Sequence, residues 1–145
     1  MVKIKICGLK REEDIQFVNE FMPDYIGFVF ANTKRKVAYE KAKLLKKMLN
    51  PNIKSVGVFV DENLDRVVLL AEEGIIDVIQ LHGNEDHDYI KELRKRTDKE
   101  IIKAIRVKDA ESIEQNKNID ADYLLLDTFV GKDVYGGTGK SLTEN

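Results

Sequence analysis

Six short apolar runs in this 145-residue chain are each followed by residues able to do chemistry. Cys7-Gly8 follows the first, Ala31 to Lys36 the second, Asp61 the third, His82-Gly83 the fourth, Arg106 the fifth and Asp127-Thr128 the sixth. A thiol, an imidazole, carboxylates and several cations are the groups that move protons and hold anions. The spacing does not signal a metal site, because Cys7, His82 and His87 are scattered and form neither a C-x-x-C nor an H-x-x-x-H pair. Gly136-Gly137-Thr138-Gly139-Lys140 has the glycines of a phosphate loop without its preceding strand and spacing. Each feature also has a plainer reading. A lone cysteine ending a buried strand is usually an inert small hydrophobe, Asp127 also suits a turn cap, and Lys34-Arg35-Lys36 also reads as a solvated charge run. His82 before Gly83 also suits a hydrogen-bonded turn, and Gly136 to Gly139 a flexible loop. Taken singly, none is specific.

These residues need elements to position them, and the patterning supplies a repeat. β-Branched apolar runs begin near Val2, Tyr25, Ser55, Val78, Ile101 and Tyr123. Between them lie single apolar stripes at helical spacing: Ile15, Val18 and Phe21/Met22; Ala38, Ala42, Leu45 and Leu49; Leu64, Val67, Val68 and Ala71; Tyr89/Ile90 and Leu93. Acidic starts at Glu12-Glu13-Asp14, Asp61-Glu62 and Glu85-Asp86 suit the positive end of a helix dipole, while Asn50-Pro51 and Gly74 are stops. A fifth helix is expected around Asp109 to Asn116. Continuous runs such as Tyr25 to Phe30 and Ser55 to Val60 read as strands buried on both faces, as parallel strands under helices are. The expectation is an α/β chain of six βα-type strands in one domain, residues 1–145, with ligands at the carboxyl ends of the strands. Periodicity alone does not choose between an open doubly wound sheet and a closed barrel.

Composition narrows the classes. With 43% hydrophobic and 34% charged residues, a disordered or fibrous chain is excluded. A net charge of -2 gives no bulk attraction to nucleic acid or anionic membrane. No apolar run reaches the ~18 residues of a membrane span, and the single cysteine suits a reducing cytoplasm.

In combination the motifs become specific. Lys5-Ile6-Cys7-Gly8-Leu9, Gly27-Phe28-Val29-Phe30 with Thr33 to Val37, Val56 to Val60, Gln80-Leu81-His82-Gly83, Lys103-Ala104-Ile105, Leu125-Leu126-Asp127-Thr128 and Gly136 to Lys140 occur in this order. That order resembles the phosphoribosylanthranilate isomerase family of tryptophan biosynthesis, (βα)8 TIM-barrel enzymes, over the chain up to about Lys140. The resemblance implies an aldose–ketose isomerase (EC 5.3.1.24) that performs a cofactor-free Amadori rearrangement on a phosphorylated sugar-amine. It implies Cys7 as base, Asp127 as acid and Arg35 as the partner of the anthranilate carboxylate. By the same resemblance His82 lies beside the substrate, and Gly136, Gly137 and Gly139 belong to a loop over the site. An unperturbed Cys titrates near ~8.5 and an Asp near ~3.9, so at neutral pH the pocket must adjust both for these roles.

The family continues past Lys140 with a sixth helix and seventh and eighth strands, so this chain covers about six of eight βα units. A complete barrel takes ~200 to 250 residues, and the loops after strands 7 and 8 commonly make its phosphate site. A second reading is therefore an inactive barrel fragment, truncated after the sixth strand, that self-associates or needs a complementing carboxyl-terminal piece. The edges of strand 1 (Val2 to Ile6) and strand 6 (Tyr123 to Leu126) are expected to invite a homodimer. A third reading, a phosphoacceptor receiver domain, needs an acidic cluster after strand 1, where this chain has Cys7-Gly8.

Overall fold

Strand and helix alternate as the two periodicities require. The computed structural model describes residues 2–107, 114 and 119–128. The order is β1 (Lys5–Cys7), α1 (Glu12–Phe21), β2 (Tyr25–Val29), α2 (Tyr39–Met48), β3 (Lys54–Phe59), α3 (Leu64–Glu72), β4 (Val78–Leu81), α4 (His87–Arg96), β5 (Glu100–Val107) and β6 (Tyr123–Thr128). The expected fifth helix lies outside the described residues except for Glu114, which is helical.

All five strand pairings are parallel, and the sheet order is the chain order, β1-β2-β3-β4-β5-β6. An open doubly wound sheet reverses its strand order at a switch point, whereas a barrel does not. The sequential order therefore settles what periodicity left open: this is six strands of a TIM-barrel wall. β2 and β3 are buried along nearly their whole length, as their unbroken apolar runs require.

Alternation along each strand sorts the side chains onto two faces. Ile26, Phe28, Phe59, Ile79, Leu81 and Ile101 face the helices and form one cluster with Ile15, Val18, Leu45, Val67, Leu70, Ile90 and Leu93. Burying a side chain of this size contributes about 1.5–3 kcal/mol, so this layer carries most of the fold's stability. The opposite parity puts Val29, Val56, Val58 and Val78 on the inner face, with Cys7, Tyr25, Val60 and Ile102 packed against them.

Helix ends follow their sequence signals with two corrections. Asp86 caps α4 by accepting from the Tyr89 amide at 2.9 Å, and Asp14 accepts from the Lys10 and Arg11 amides ahead of α1. The cap of α3 is Asn63, not Asp61-Glu62; its side-chain oxygen accepts from Asp65 N–H at 2.8 Å. Asp61 instead takes a left-handed conformation, φ 51°, and turns its carboxylate to the neighbouring loop. Phe21 and Met22 were expected to continue the buried stripe of α1, yet both are exposed, and Phe21 stacks on Phe17 at 6.1 Å. Met22 ends α1 in a left-handed conformation, φ 57°, and so leaves the helical stripe.

β1 itself is shorter than the run that announces it. Val2 is 84% and Ile4 44% exposed, because the ladder starts only where Lys5 meets Tyr25. Ile4 is held by Asp24 instead: its N–H donates to the Asp24 carboxylate at 2.8 Å and its carbonyl accepts the Asp24 N–H at 3.0 Å. The same reciprocal staple joins Ser55 to Asp77 and Ile101 to Asp122. In each case the aspartate immediately precedes an even-numbered strand.

Candidate active site

At the carboxyl ends of the strands, two glycines create the space that the reactive groups fill. Gly27 pairs with Cys7 in the ladder, and a Cβ there would stand 2.6 Å from the Cys7 sulfur. The thiol therefore lies across the backbone of β2. Gly8 has φ +87°, a conformation that L side chains rarely adopt, and a Cβ on it would meet Arg35 Cδ at 2.6 Å. The stem of Arg35 thus lies over the residue after Cys7.

The β2–α2 loop that carries Arg35 is tied internally. Thr33 N–H donates to Ala31 O at 2.8 Å, Arg35 N–H to Thr33 Oγ1 at 3.2 Å and Lys36 N–H to Thr33 O at 3.1 Å. Lys10 ties it to the β1–α1 loop by donating from Nζ to Lys34 O at 2.6 Å. Lys34, whose run with Arg35 and Lys36 also reads as a solvated charge cluster, lines the site beside Arg35.

His82 follows β4 and is buried, its N–H donating to Phe59 O at 2.8 Å. Its Nδ1 stands 3.0 Å from Gln80 Nε2, and Gln80 Oε1 accepts from Lys5 Nζ at 2.5 Å. Burial pushes the Lys5 amine below its ordinary value of 10.5, and the charge of Cys7 on the same strand face acts in the opposite direction. Cys7, Lys34, Arg35, Gln80 and His82 surround one cavity of about 450 Å³ above Val29, Val58 and Val60. Its size is that of small-molecule pockets, apolar at the floor with a few convergent polar groups.

A buried ion pair braces the neighbouring loops. Glu85 Oε1 accepts from Lys103 Nζ at 3.0 Å and from Gly83 N–H at 2.9 Å, and Oε2 accepts from Asp61 N–H at 2.8 Å. Lys103 also donates to Gly83 O at 2.8 Å, and Asp61 Oδ1 accepts from Asn84 N–H at 2.7 Å. Arg106 donates to Asn84 Oδ1 at 2.6 Å. Asp61 and Arg106, read from the sequence as rim groups, thus brace the β4–α4 loop and are not among the cavity's lining residues. Burial, followed by the charges of Glu85, Glu62 and Asp61, pushes the Tyr89 phenol well above its ordinary range.

The register places Asp127 opposite Arg106 near the carboxyl end of β6. Gly136, Gly137 and Gly139 lie outside the described residues. Among the described residues no group of three or more His, Cys, Asp or Glu side chains is arranged to hold a metal ion, and no helix is long and apolar enough to cross a membrane. Sequence reasoning missed Lys5 and Gln80 as site residues. Both signals were present: each is a long polar side chain inside an apolar run, with the parity of Cys7 and His82 respectively.

Comparison with known proteins agrees with this geometry. The family described as N-(5'phosphoribosyl)anthranilate (PRA) isomerase matches residues 4–145. The N-(5'-phosphoribosyl)anthranilate isomerase of Endomicrobium trichonymphae is 50% identical over 140 residues, 97% of this chain and 68% of the relative. The crystal structure of phosphoribosyl anthranilate isomerase from Thermotoga maritima superposes with a TM-score of 0.82 at 34% identity, over 97% of this chain and 67% of that one. A structure of the isomerase in complex with reduced 1-(o-carboxyphenylamino)-1-deoxyribulose 5-phosphate gives 0.78 at 34% identity, over 89% and 66%. Mutually generated monomers of the dimeric Thermotoga maritima enzyme give 0.76 at 34%, over 88% and 64%. This chain spans about two thirds of the length of the proteins it matches. Sequential parallel strands, a Cys7–Arg35–His82 cavity at their carboxyl ends and these matches lead to one conclusion: the chain belongs to the N-(5'-phosphoribosyl)anthranilate isomerase family.

Proposed function

We propose that the cavity at the carboxyl ends of β1, β2 and β4 holds N-(5-phosphoribosyl)anthranilate and that the chain's residues carry its Amadori rearrangement to 1-(2-carboxyphenylamino)-1-deoxyribulose 5-phosphate. An acid protonates the furanose ring oxygen, the C1–O bond breaks, and the nitrogen lone pair closes a Schiff base. A base then removes the proton from C2, giving an enolamine whose tautomerisation delivers a proton to C1 and leaves a ketone at C2. Hydrogen is redistributed within the substrate, so the reaction balances without an external oxidant or reductant. In this reading Cys7 is the base and Asp127 the acid.

The observation that carries the reading is the packing of Cys7 against Gly27 and of Arg35 against Gly8. It brings the Cys7 sulfur and the stem of Arg35, whose planar guanidinium suits the anthranilate carboxylate, to the lining of one cavity. His82 lines the same space, and Gly136, Gly137 and Gly139 would supply the loop that excludes water over it. The phosphorylated ligand held by a relative supports a substrate of this class. Residues 1–145 act as one partial barrel domain. A cytoplasmic location would keep the Cys7 thiol reduced, and pairing of copies would cover the outer edges of β1 and β6; the Thermotoga maritima relative is described as dimeric.

Turnover of phosphoribosylanthranilate by the wild type and by a Cys7→Ser variant tests the proposal. Retained wild-type turnover in the variant would remove Cys7 from the role of base.

A further inference from the structure

The inner face of a barrel wall is an expensive place for an amide and an amine unless they bond one another. Lys5 and Gln80 do so, and the order of donors along their chain has a consequence for His82. An ammonium has only hydrogens to offer, so the atom of Gln80 that faces Lys5 Nζ at 2.5 Å is the carbonyl oxygen. That fixes the flip of the amide and turns its NH2 toward His82 Nδ1 at 3.0 Å. An NH2 can only donate, so Nδ1 must accept and carries no hydrogen. The hydrogen of the neutral ring is then on Nε2, on the side of the imidazole away from Gln80.

We propose that Gln80, anchored by Lys5, is a positioning residue that holds His82 as the neutral Nε2–H tautomer and so makes it a hydrogen-bond donor, not a base, toward the rim. The inference rests on the reading of the cavity as the isomerase site. There an N–H donor suits an oxygen of the sugar or the carboxylate of the substrate, and proton removal falls to Cys7. The β4–α4 brace supports the same orientation, because Glu85 and Lys103 grip both the N–H and the carbonyl of Gly83, the residue after His82.

The chain has only two histidines, so nitrogen-15 imidazole spectra of the 145-residue chain read the tautomer directly. Exposed His87 serves as the internal reference, and a His87→Asn variant assigns the signals. The wild type is expected to show His82 with a bare Nδ1 and a protonated Nε2. In Gln80→Glu the carboxylate only accepts, so Nδ1 should gain a hydrogen. Lys5→Met releases the amide to flip and should give a mixture of tautomers. A protonated Nδ1 in the wild type, or a bare one in Gln80→Glu, overturns the proposal. Kinetics separate it from the reading beneath it. Gln80→Glu should lower kcat/KM about tenfold or more in a polypeptide that turns over, equivalent to one lost donor. If His82→Asn leaves turnover unchanged while the spectra keep the expected pattern, the tautomer stands and the place of His82 in the site falls.

Discussion

One device holds the amino-terminal end of the sheet three times over, whereas at the carboxyl-terminal end no two described strands finish alike. Asp24, Asp77 and Asp122 each exchange two hydrogen bonds with one residue at the start of the preceding strand or, for Ile4, just ahead of it, through the carboxylate and through the peptide N–H. Two of them also meet a cation from a helix, Lys46 on Asp77 at 2.6 Å and Arg94 on Asp122 at 2.8 Å. Repetition is what a purely structural task permits, because the geometry of one strand pair recurs in the next. The other end offers a cysteine, a histidine, a loop arginine and a buried Lys–Glu brace, each with its own partners. Residues there are placed to differ, as a site that must treat two ends of a substrate differently requires.

The comparison predicts that substitutions at the two ends separate activity from stability. The largest effect on rate is expected from Cys7→Ala, which should reduce turnover by ~10²- to 10⁴-fold, the usual cost of removing a general base. The same change trims a small half-buried side chain and should leave the melting temperature within a few degrees. Asp127→Asn is the matching test of the acid. Either variant turning over at the wild-type rate would return its residue to a packing role.

One element crosses the division. Lys103 and Glu85 lie at the carboxyl-terminal end, but their side chains are only 5% and 1% exposed, and they brace loops. Lys103→Met should cost about 3–5 kcal/mol, because it leaves the Glu85 carboxylate buried without its counter-charge. Adding Glu85→Leu should recover part of that loss, which chemical denaturation of the single and double variants would measure. A single variant as stable as the wild type would show that Gly83 and Asp61 N–H groups hold Glu85 unaided.

Arg35→Lys probes the site with a smaller change. The charge is kept and the planar fork is lost, so KM is expected to rise about tenfold with little change in kcat, as for uniform binding. An unchanged KM would make Arg35 the solvated charge that its exposed position also allows.

Legibility in the sequence divides along similar lines. Strands β2 to β6 were readable within a residue of their starts because apolar runs and parallel burial are short-range signals. Val2 and Ile4 misled because, among the described residues, β1 pairs with β2 only from Lys5 opposite Tyr25 onward, a tertiary fact. Asp61 was read as a helix start from its charge, but Asn63 two residues later has the side-chain oxygen within reach of the Asp65 amide. Cys7, Arg35 and His82 could be named one by one, yet the packing of Cys7 and Arg35 depends on the missing side chains of Gly27 and Gly8, which composition does not reveal as contacts. Parity would have shown Lys5 and Gln80 on the inner face, since Lys5 precedes Cys7 by two residues and Gln80 precedes His82 by two.

The smallest expected effects concern the staples themselves and depend on pH. Burial alone would raise the carboxyls of Asp77 and Asp122, but hydrogen bonds and cations outweigh it: Lys46 and the Ser55 amide for Asp77, the Ile101 amide and Arg94 for Asp122. Both groups are therefore held below the ordinary value of 3.8. A carboxyl lowered on folding binds its proton more weakly in the folded state. Its stabilisation is present in full above the unfolded value and is lost as the pH falls through the folded one. Asp77→Asn should cost about 1 kcal/mol at pH 7, after discounting for a partly exposed ion pair, and Asp122→Asn somewhat less because its side chain is 37% exposed. The two losses should add, since the residues belong to different strand pairs. In strong acid the native aspartates are themselves protonated and resemble the asparagines that replaced them. Urea midpoints of variant and wild type should therefore separate at pH 7 and converge as the pH falls from the ordinary aspartate value through the lowered folded ones. Curves that stay parallel throughout would mean that the staple works through its acceptor geometry alone, with the charge contributing nothing.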